Sequence, residues 1–240
     1  DENSFTYVSM TGLKKEYYGV EVGAKFKLTS WLDLKTLGAM SEAKNINNVN
    51  AVYMLSKSAE VYRDKAYVMD MRESGTPLTV GSIGLDAHVN GWFVNLNANY
   101  YDRIYLSYSP SYRYEKVLKN RHKAHRAFPE IFPEVMTEDE TSWREDAVAQ
   151  EKGHGGWMVD LSIGKSVRLK KGSLNFNLMI TNLLNNQTIV TGGYEQNSRS
   201  SYTLDSNGEV KNPRYYQFSK NPKKYYTWGT NGMFQVSYRF

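Results

Sequence analysis

Between Tyr18 and Leu28 the chain alternates without a break. Tyr18, Val20, Val22, Ala24, Phe26 and Leu28 fall on one side, and Gly19, Glu21, Gly23, Lys25 and Lys27 on the other. A period of two is that of a β-strand with one apolar face. The same alternation recurs over Leu32–Ala43, Leu78–Val89, Trp92–Tyr108, Trp157–Leu169 and Leu174–Leu183. It returns at the C-terminal end, where Phe234, Val236, Tyr238 and Phe240 oppose Gln235, Ser237 and Arg239. The pattern predicts seven strands and an all-β chain. In the Trp92 strand, Asn95, Asn97 and Asn99 share a face although Asn is a poor strand former. A water-filled interior accounts for that row, and the solvent-facing side of an ordinary antiparallel sheet is the competing reading.

The connections alternate in length. Short turns are expected at Thr29–Trp31, His88–Gly91 and Leu169–Ser173, whereas Lys44–Pro77, Ser109–Gly156 and Leu184–Gly229 are long. Compact domains join elements by about 4 to 6 residues at the median. Short turns at one end and long loops at the other are the habit of outer-membrane barrels, whose periplasmic turns are short and extracellular loops long. The turns near Ser30, Asn90 and Lys171 are therefore expected to face the periplasm. Seven strands do not make the even number of a single-chain bacterial barrel, so the chain is not expected to close alone. Phe5–Met10 is expected to extend the first strand or to belong to an outer loop.

Composition narrows the classes. The hydrophobic share is 40 %, mean hydropathy is −0.60, and no apolar run approaches the roughly 18 residues of a membrane-spanning helix. Yet 14 % of residues are aromatic, 19 of them Tyr. A chain wet on average but rich in Tyr and Trp fits a transmembrane barrel, where alternate residues face lipid and aromatic belts mark the interfaces. Without Cys there is neither a disulfide framework nor a thiolate metal site. The net charge of +5 sets 30 basic against 25 acidic residues, too mild an excess to argue for nucleic acid. Residues Asp1 to Thr6 carry neither a basic nor an apolar leader segment, so an exported protein would be represented here by its mature chain or a fragment of it.

Three stretches carry a family likeness: Asn90-Gly91-Trp92-Phe93-Val94-Asn95-Leu96-Asn97-Ala98-Asn99-Tyr100-Tyr101-Asp102; Gly164-Lys165-Ser166 followed by Asn182-Leu183-Leu184-Asn185-Asn186; and Thr191-Gly192-Gly193-Tyr194-Glu195-Gln196 ahead of a terminal Phe240. The chain resembles the C-terminal barrel region of TonB-dependent receptors, particularly the SusC-like Bacteroidetes group that imports glycans and other large nutrients. The likeness is strongest over residues 77 to 108 and 153 to 240. It implies an antiparallel transmembrane β-barrel of about 22 strands around a plugged lumen, of which these are the last seven. The plug, the TonB-contacting segment and the earlier strands have no counterpart in this chain. It further implies the TonB energy-transducing complex, outer-membrane lipid, the barrel assembly machinery and a SusD-type surface lipoprotein as partners, with no nucleic acid, no cofactor and no enzymatic activity.

Candidate sites are few. Arg121-His122-Lys123-Ala124-His125-Arg126 holds two His, but its cations disfavour a metal ion and it reads as a solvated basic loop. The acidic stretch Glu130–Glu151 lacks the spaced ligands and central Gly of a calcium loop, and Thr137–Glu140 fits a capping box. Among loop aromatics, Tyr225, Tyr226 and Trp228 read as belt anchors, as do Trp31, Trp92 and Trp157. Trp143 and Tyr194 remain as ligand candidates. Phe234, Val236, Tyr238 and Phe240 are expected to form the signal read by the assembly machinery. Two other readings stay open: a soluble secreted β-rich binding module whose apolar faces pack sheet on sheet, and a complete eight-stranded barrel that counts Phe5–Met10 as a strand.

Overall fold

A computed structural model describes residues 6–55, 60–119, 149–195, 201–208, 210–214 and 222–240. The chain is all-β, with antiparallel sheets. In chain order the strands are β1 (Thr6–Met10), β2 (Lys15–Lys27), β3 (Leu32–Asn45), β4 (Val49–Leu55), β5 (Val61–Ala66), β6 (Pro77–Val89), β7 (Trp92–Ile104), β8 (Gly156–Leu169), β9 (Gly172–Thr181), β10 (Val190–Glu195), β11 (Ser201–Leu204), β12 (Val210–Arg214), β13 (Pro222–Tyr226) and β14 (Asn231–Arg239). The seven strands expected from alternation are β2, β3, β6, β7, β8, β9 and β14. They form one sheet in the order β14-β9-β8-β7-β6-β3-β2.

Three of the neighbouring pairs, β2-β3, β6-β7 and β8-β9, are joined by the short turns, and turn chemistry sets their register. Asn90 and Gly91 both take positive φ (49° and 77°) between β6 and β7, the geometry of a two-residue type I′ hairpin. Between β8 and β9, Gly172 sits at φ 104°, where an added Cβ would lie 2.2 Å from the Arg239 carbonyl oxygen. The register then stacks like faces across all seven strands. One cross-strand row runs Val22, Gly38, Gly81 and Tyr100 to Trp157, and another runs Phe26, Leu34, Leu85, Leu96, Leu161 and Ile180. On β9 and β14, Leu178 faces Phe234 and Phe176 faces Val236. The result is one continuous apolar face. On the opposite face lie Glu21, Lys25, Lys35, Asp86, Asn95, Asn97, Asn99, Asp160, Ser162, Asn177 and Gln235.

The polar face is the better covered of the two. Asp86 is 7 % exposed, while Val22 and Phe234 on the apolar face are 67 % and 63 % exposed. Polar side chains hydrogen bond from strand to strand: the Ser82 hydroxyl donates to Asn99 (2.8 Å), the Asn99 amide to Asp160 (3.0 Å), and the Ser162 hydroxyl to Asn177 (3.0 Å). Lys25 pairs with Asp33 at 2.9 Å, and Lys35 with Asp86.

The buried core lies in the long connections beyond the ends of the strands, away from the apolar face. Val49, Ala51, Ala66, Val68, Met71 and Tyr114 pack together there. The connections fold into strands of their own, as β1-β4-β5, β10-β13 and β11-β12. Reading them as plain loops missed this: Val49, Ala51 and Tyr53 alternate on β4, but over too few positions to stand out. Two expectations need correction. Thr6–Met10 is a strand, yet it pairs with β4, Tyr7 opposite Met54, so the eight-stranded closure does not form and β2 and β14 remain the edges of an open sheet. β7 stops at Ile104 rather than Tyr108, and its ladder with β6 is interrupted at Arg103, which adopts φ 56° between the paired residues Asp102 and Ile104.

Candidate functional site

The end of the sheet opposite the short turns is capped by a polar layer built from the long connections. Residues 67–75 are stitched to β3 and to the chain leaving β7: Asn45 N–H donates to Met71 O (2.9 Å), Glu73 N–H to Ala43 O (2.9 Å) and Gly75 N–H to Tyr105 O (3.1 Å). That stitching brings Arg72 and Arg103 onto the one Glu42 carboxylate, Arg72 Nε at 2.6 Å and Arg103 Nη2 on the other oxygen. The Arg72 guanidinium also lies over the Tyr105 ring at 4.8 Å. The Gln150 amide holds Arg72 from the far side, donating to Arg72 O (2.9 Å) and Leu106 O (2.8 Å) while accepting from Arg72 N–H (2.6 Å).

Against this layer lies an open depression of about 370 Å³ lined by Lys15, Asn45, Met71, Arg72, Glu73, Ser74, Ser107 and Tyr108. Its charges are internally paired. Glu73 accepts from the Tyr17 hydroxyl (2.5 Å) and from Lys15 (2.9 Å), and these two donors hold its carboxyl below the ordinary value. The Ser74 and Ser107 hydroxyls lie 2.8 Å apart, and the Asn45 amide is shared between Val68 O (3.0 Å) and the Tyr108 hydroxyl (2.8 Å). Paired charges, hydroxyls and one aromatic ring suit a neutral, polar ligand better than an ion. Among the described residues there is no group of three His, Asp or Glu side chains placed to hold a metal.

Tyr194 reaches the same neighbourhood. Its strand β10 meets Ser107 in a parallel bridge, with Ser107 N–H donating to Gly193 O (2.8 Å) and Glu195 N–H to Ser107 O (3.0 Å). The Tyr194 ring is exposed and tilted against Tyr225 at 6.2 Å. Tyr194 and the depression wall are therefore neighbours, and Tyr225, read from sequence as a belt anchor, is Tyr194's ring partner. Trp143, with Arg121–Arg126 and Thr137–Glu140, lies outside the described residues. Phe234, Val236 and Tyr238 share the exposed apolar face of β14, and Phe240 follows it with its ring 6.2 Å from that of Tyr238.

What fixes β10 is a pair that sequence reasoning missed. Arg113 and Glu195 are 82 residues apart, and their side chains are 0 % and 1 % exposed. Both guanidinium amino groups donate to the carboxylate, one at 2.7 Å. Glu195 also accepts from Ser109 N–H (2.9 Å), while Arg113 donates to Ser109 O (3.1 Å) and Ala149 O (3.2 Å) and lies over the Tyr108 ring (5.3 Å). No local pattern announces a pair so distant along the chain.

The Asn182–Asn186 segment, notable in the sequence, is a clasp. The Asn182 amide donates to Asn186 O (2.9 Å) and Trp228 O (2.7 Å), and Asn182 N–H donates to Asp160 (2.9 Å). The Asn186 amide donates to Trp157 O (3.1 Å), and the Thr227 and Thr230 hydroxyls donate to Asn186 O (2.7 Å) and Asn182 O (2.8 Å). Its polar groups bind the exit of β9 to the approach to β14, so its role is to hold the last hairpin. Leu184 and Trp228 meanwhile point outward, 61 % and 90 % exposed. No family model matches the chain, and comparison with curated proteins and with solved structures found no match.

Proposed function

We propose that this chain is the C-terminal wall of an outer-membrane β-barrel of the TonB-dependent receptor type, which imports a large nutrient such as a glycan, peptide or metal chelate. The observation that carries the reading is the uncovered apolar face. Seven strands present Val, Leu, Ile and Phe side chains on one side, and no described element packs over them. Exposed apolar area on this scale marks contact with lipid or protein. From Tyr18 to Phe26 the apolar stretch covers eight residue steps, about 27 Å at about 3.4 Å each. Strands tilted by about 40° would give a height of about 21 Å, near the roughly 25 Å apolar band of such barrels. Tyr100 and Trp157 border the face at one end and Trp31 and Trp92 at the other, where aromatic girdles sit.

In this reading the Asn row and its hydrogen-bonded neighbours line the lumen. The polar layer is extracellular, and the depression beside Tyr194 is the place for ligand contact. Edges β2 and β14 pair with strands of the rest of the barrel, since an open edge is not tolerated in lipid. TonB acts through a plug outside this chain, and a SusD-type lipoprotein would sit on the outer layer. The protein resides in the bacterial outer membrane.

The test exploits Val22, the midpoint of the apolar stretch of β2 from Tyr18 to Phe26. Val22→Arg should cost about 2 to 4 kcal/mol of folding free energy in bilayers, the depth-dependent cost of a cation at the midplane. On a face open to water the same change falls within about 0.5 kcal/mol. A neutral result, with a monodisperse folded chain in plain buffer, would reject the membrane reading and favour a soluble module.

A further inference from the structure

Charge on the polar face is not distributed evenly. On β2, β3 and β6 the bases near the short turns have acidic neighbours: Lys25 pairs with Asp33 and Lys35 with Asp86. On β8, β9 and β14 the corresponding region is wholly basic. β9 and β14 contain no acidic residue, and the single one of β8, Asp160, is engaged at the far end with Asn99 and Asn182. Register puts Arg168 opposite Ser173 and Ser173 opposite Arg239, so both arginines stand in one row on the polar face. The next row is Ser166, Asn175 and Ser237. The turn beside them adds Lys170 and Lys171 and is pinned by the Tyr238 hydroxyl donating to Lys171 O. Arg168 and Arg239 are exposed, and no carboxylate side chain of the described residues pairs with either.

We propose that this corner of the polar face is a docking surface for an acidic polypeptide segment, gripped by Arg168 and Arg239 and flanked by Lys170 and Lys171. The two arginines are rooted two strand spacings apart, about 9.5 Å. Alternate carboxylates of an extended peptide lie about 7 Å apart, within the span of two converging guanidinium groups. Arginine clusters recognise acidic segments in this way. The Ser166, Ser173, Asn175 and Ser237 side chains between and beside the arginines offer donors and acceptors to peptide backbone. No aromatic ring shares these two rows, so the stacking platform that single-stranded nucleic acid uses is missing. The proposal rests on charge and register, and it stands whether the apolar face meets lipid or protein.

The test uses the full chain in non-ionic detergent and a fluorescein-labelled peptide of six Glu alternating with Ser, followed by anisotropy at low salt. The wild-type chain should bind it, and Arg168→Gln combined with Arg239→Gln should weaken binding at least tenfold while leaving the far-ultraviolet circular dichroism spectrum unchanged. Arg168→Lys with Arg239→Lys should retain more affinity than the Gln pair. Lys27→Gln, a base on the same face at the opposite edge of the sheet, should change affinity less than twofold. No peptide binding, an equal loss from Lys27→Gln, or tighter binding of oligothymidylate or inorganic phosphate than of the peptide would overturn the proposal.

Discussion

Replacing Glu195 by Ala should unfasten β10 from the segment that follows β7, and the size of the effect follows from burial. Glu195 sits under a guanidinium that is 0 % exposed, receives two of its hydrogen bonds and accepts a third from Ser109 N–H. Removal of the carboxylate leaves Arg113 charged and buried without the acceptor that takes both of its amino groups. Breaking a buried pair from one side costs about 3 to 5 kcal/mol, because the surviving charge has lost its compensation. At about 1.4 kcal/mol per factor of ten, local opening should become roughly a hundredfold to a few thousandfold more frequent. Native-state hydrogen exchange reads this at the Ser107, Ser109 and Glu195 amides, which lie at the contact. Arg113→Met combined with Glu195→Leu removes both charges and should recover most of the loss, since apolar replacement of a buried pair is often close to neutral. The reasoning fails if Glu195→Ala changes exchange at these amides less than fivefold, or if single and double variants open equally.

Three further outcomes rest on individual side chains. The Tyr114 hydroxyl is buried with no hydrogen-bond partner among the described residues, and burial pushes its phenol up to about 12. In the unfolded chain it ionises near 10.0, so the native state loses stability as pH rises from that value towards about 12; Tyr114→Phe should lessen this loss in alkaline melts and gain about 1 kcal/mol at neutral pH. Deleting Phe240 from the full-length protein should lower the amount assembled in the outer membrane, while changing Trp143 should alter ligand uptake at unchanged amount. Normal assembly without the last three residues would refute the signal role of Phe234, Val236, Tyr238 and Phe240.

Much of the architecture is legible along the chain because a half-buried strand writes its faces with a period of two. Tyr18 to Leu28 states which residues share a face of β2 without reference to any other strand, and Asn90-Gly91 states where a hairpin turns because few other residues accept two consecutive positive φ values. The seven main strands, the short turns and the aromatic strand ends were therefore readable from local sequence. The fate of the long connections was not. Thr6–Met10 looks like a spare barrel strand until β4 claims it as a partner, and an alternation of three residues carries no information about which strand it will meet. The depression and its surrounding polar layer depend on contacts such as Arg113 with Glu195 and Arg72 with Glu42, which are 82 and 30 residues apart. Strand faces are local properties of the backbone, whereas an ion pair between distant loops exists only once the register of the whole sheet has brought the loops to one end.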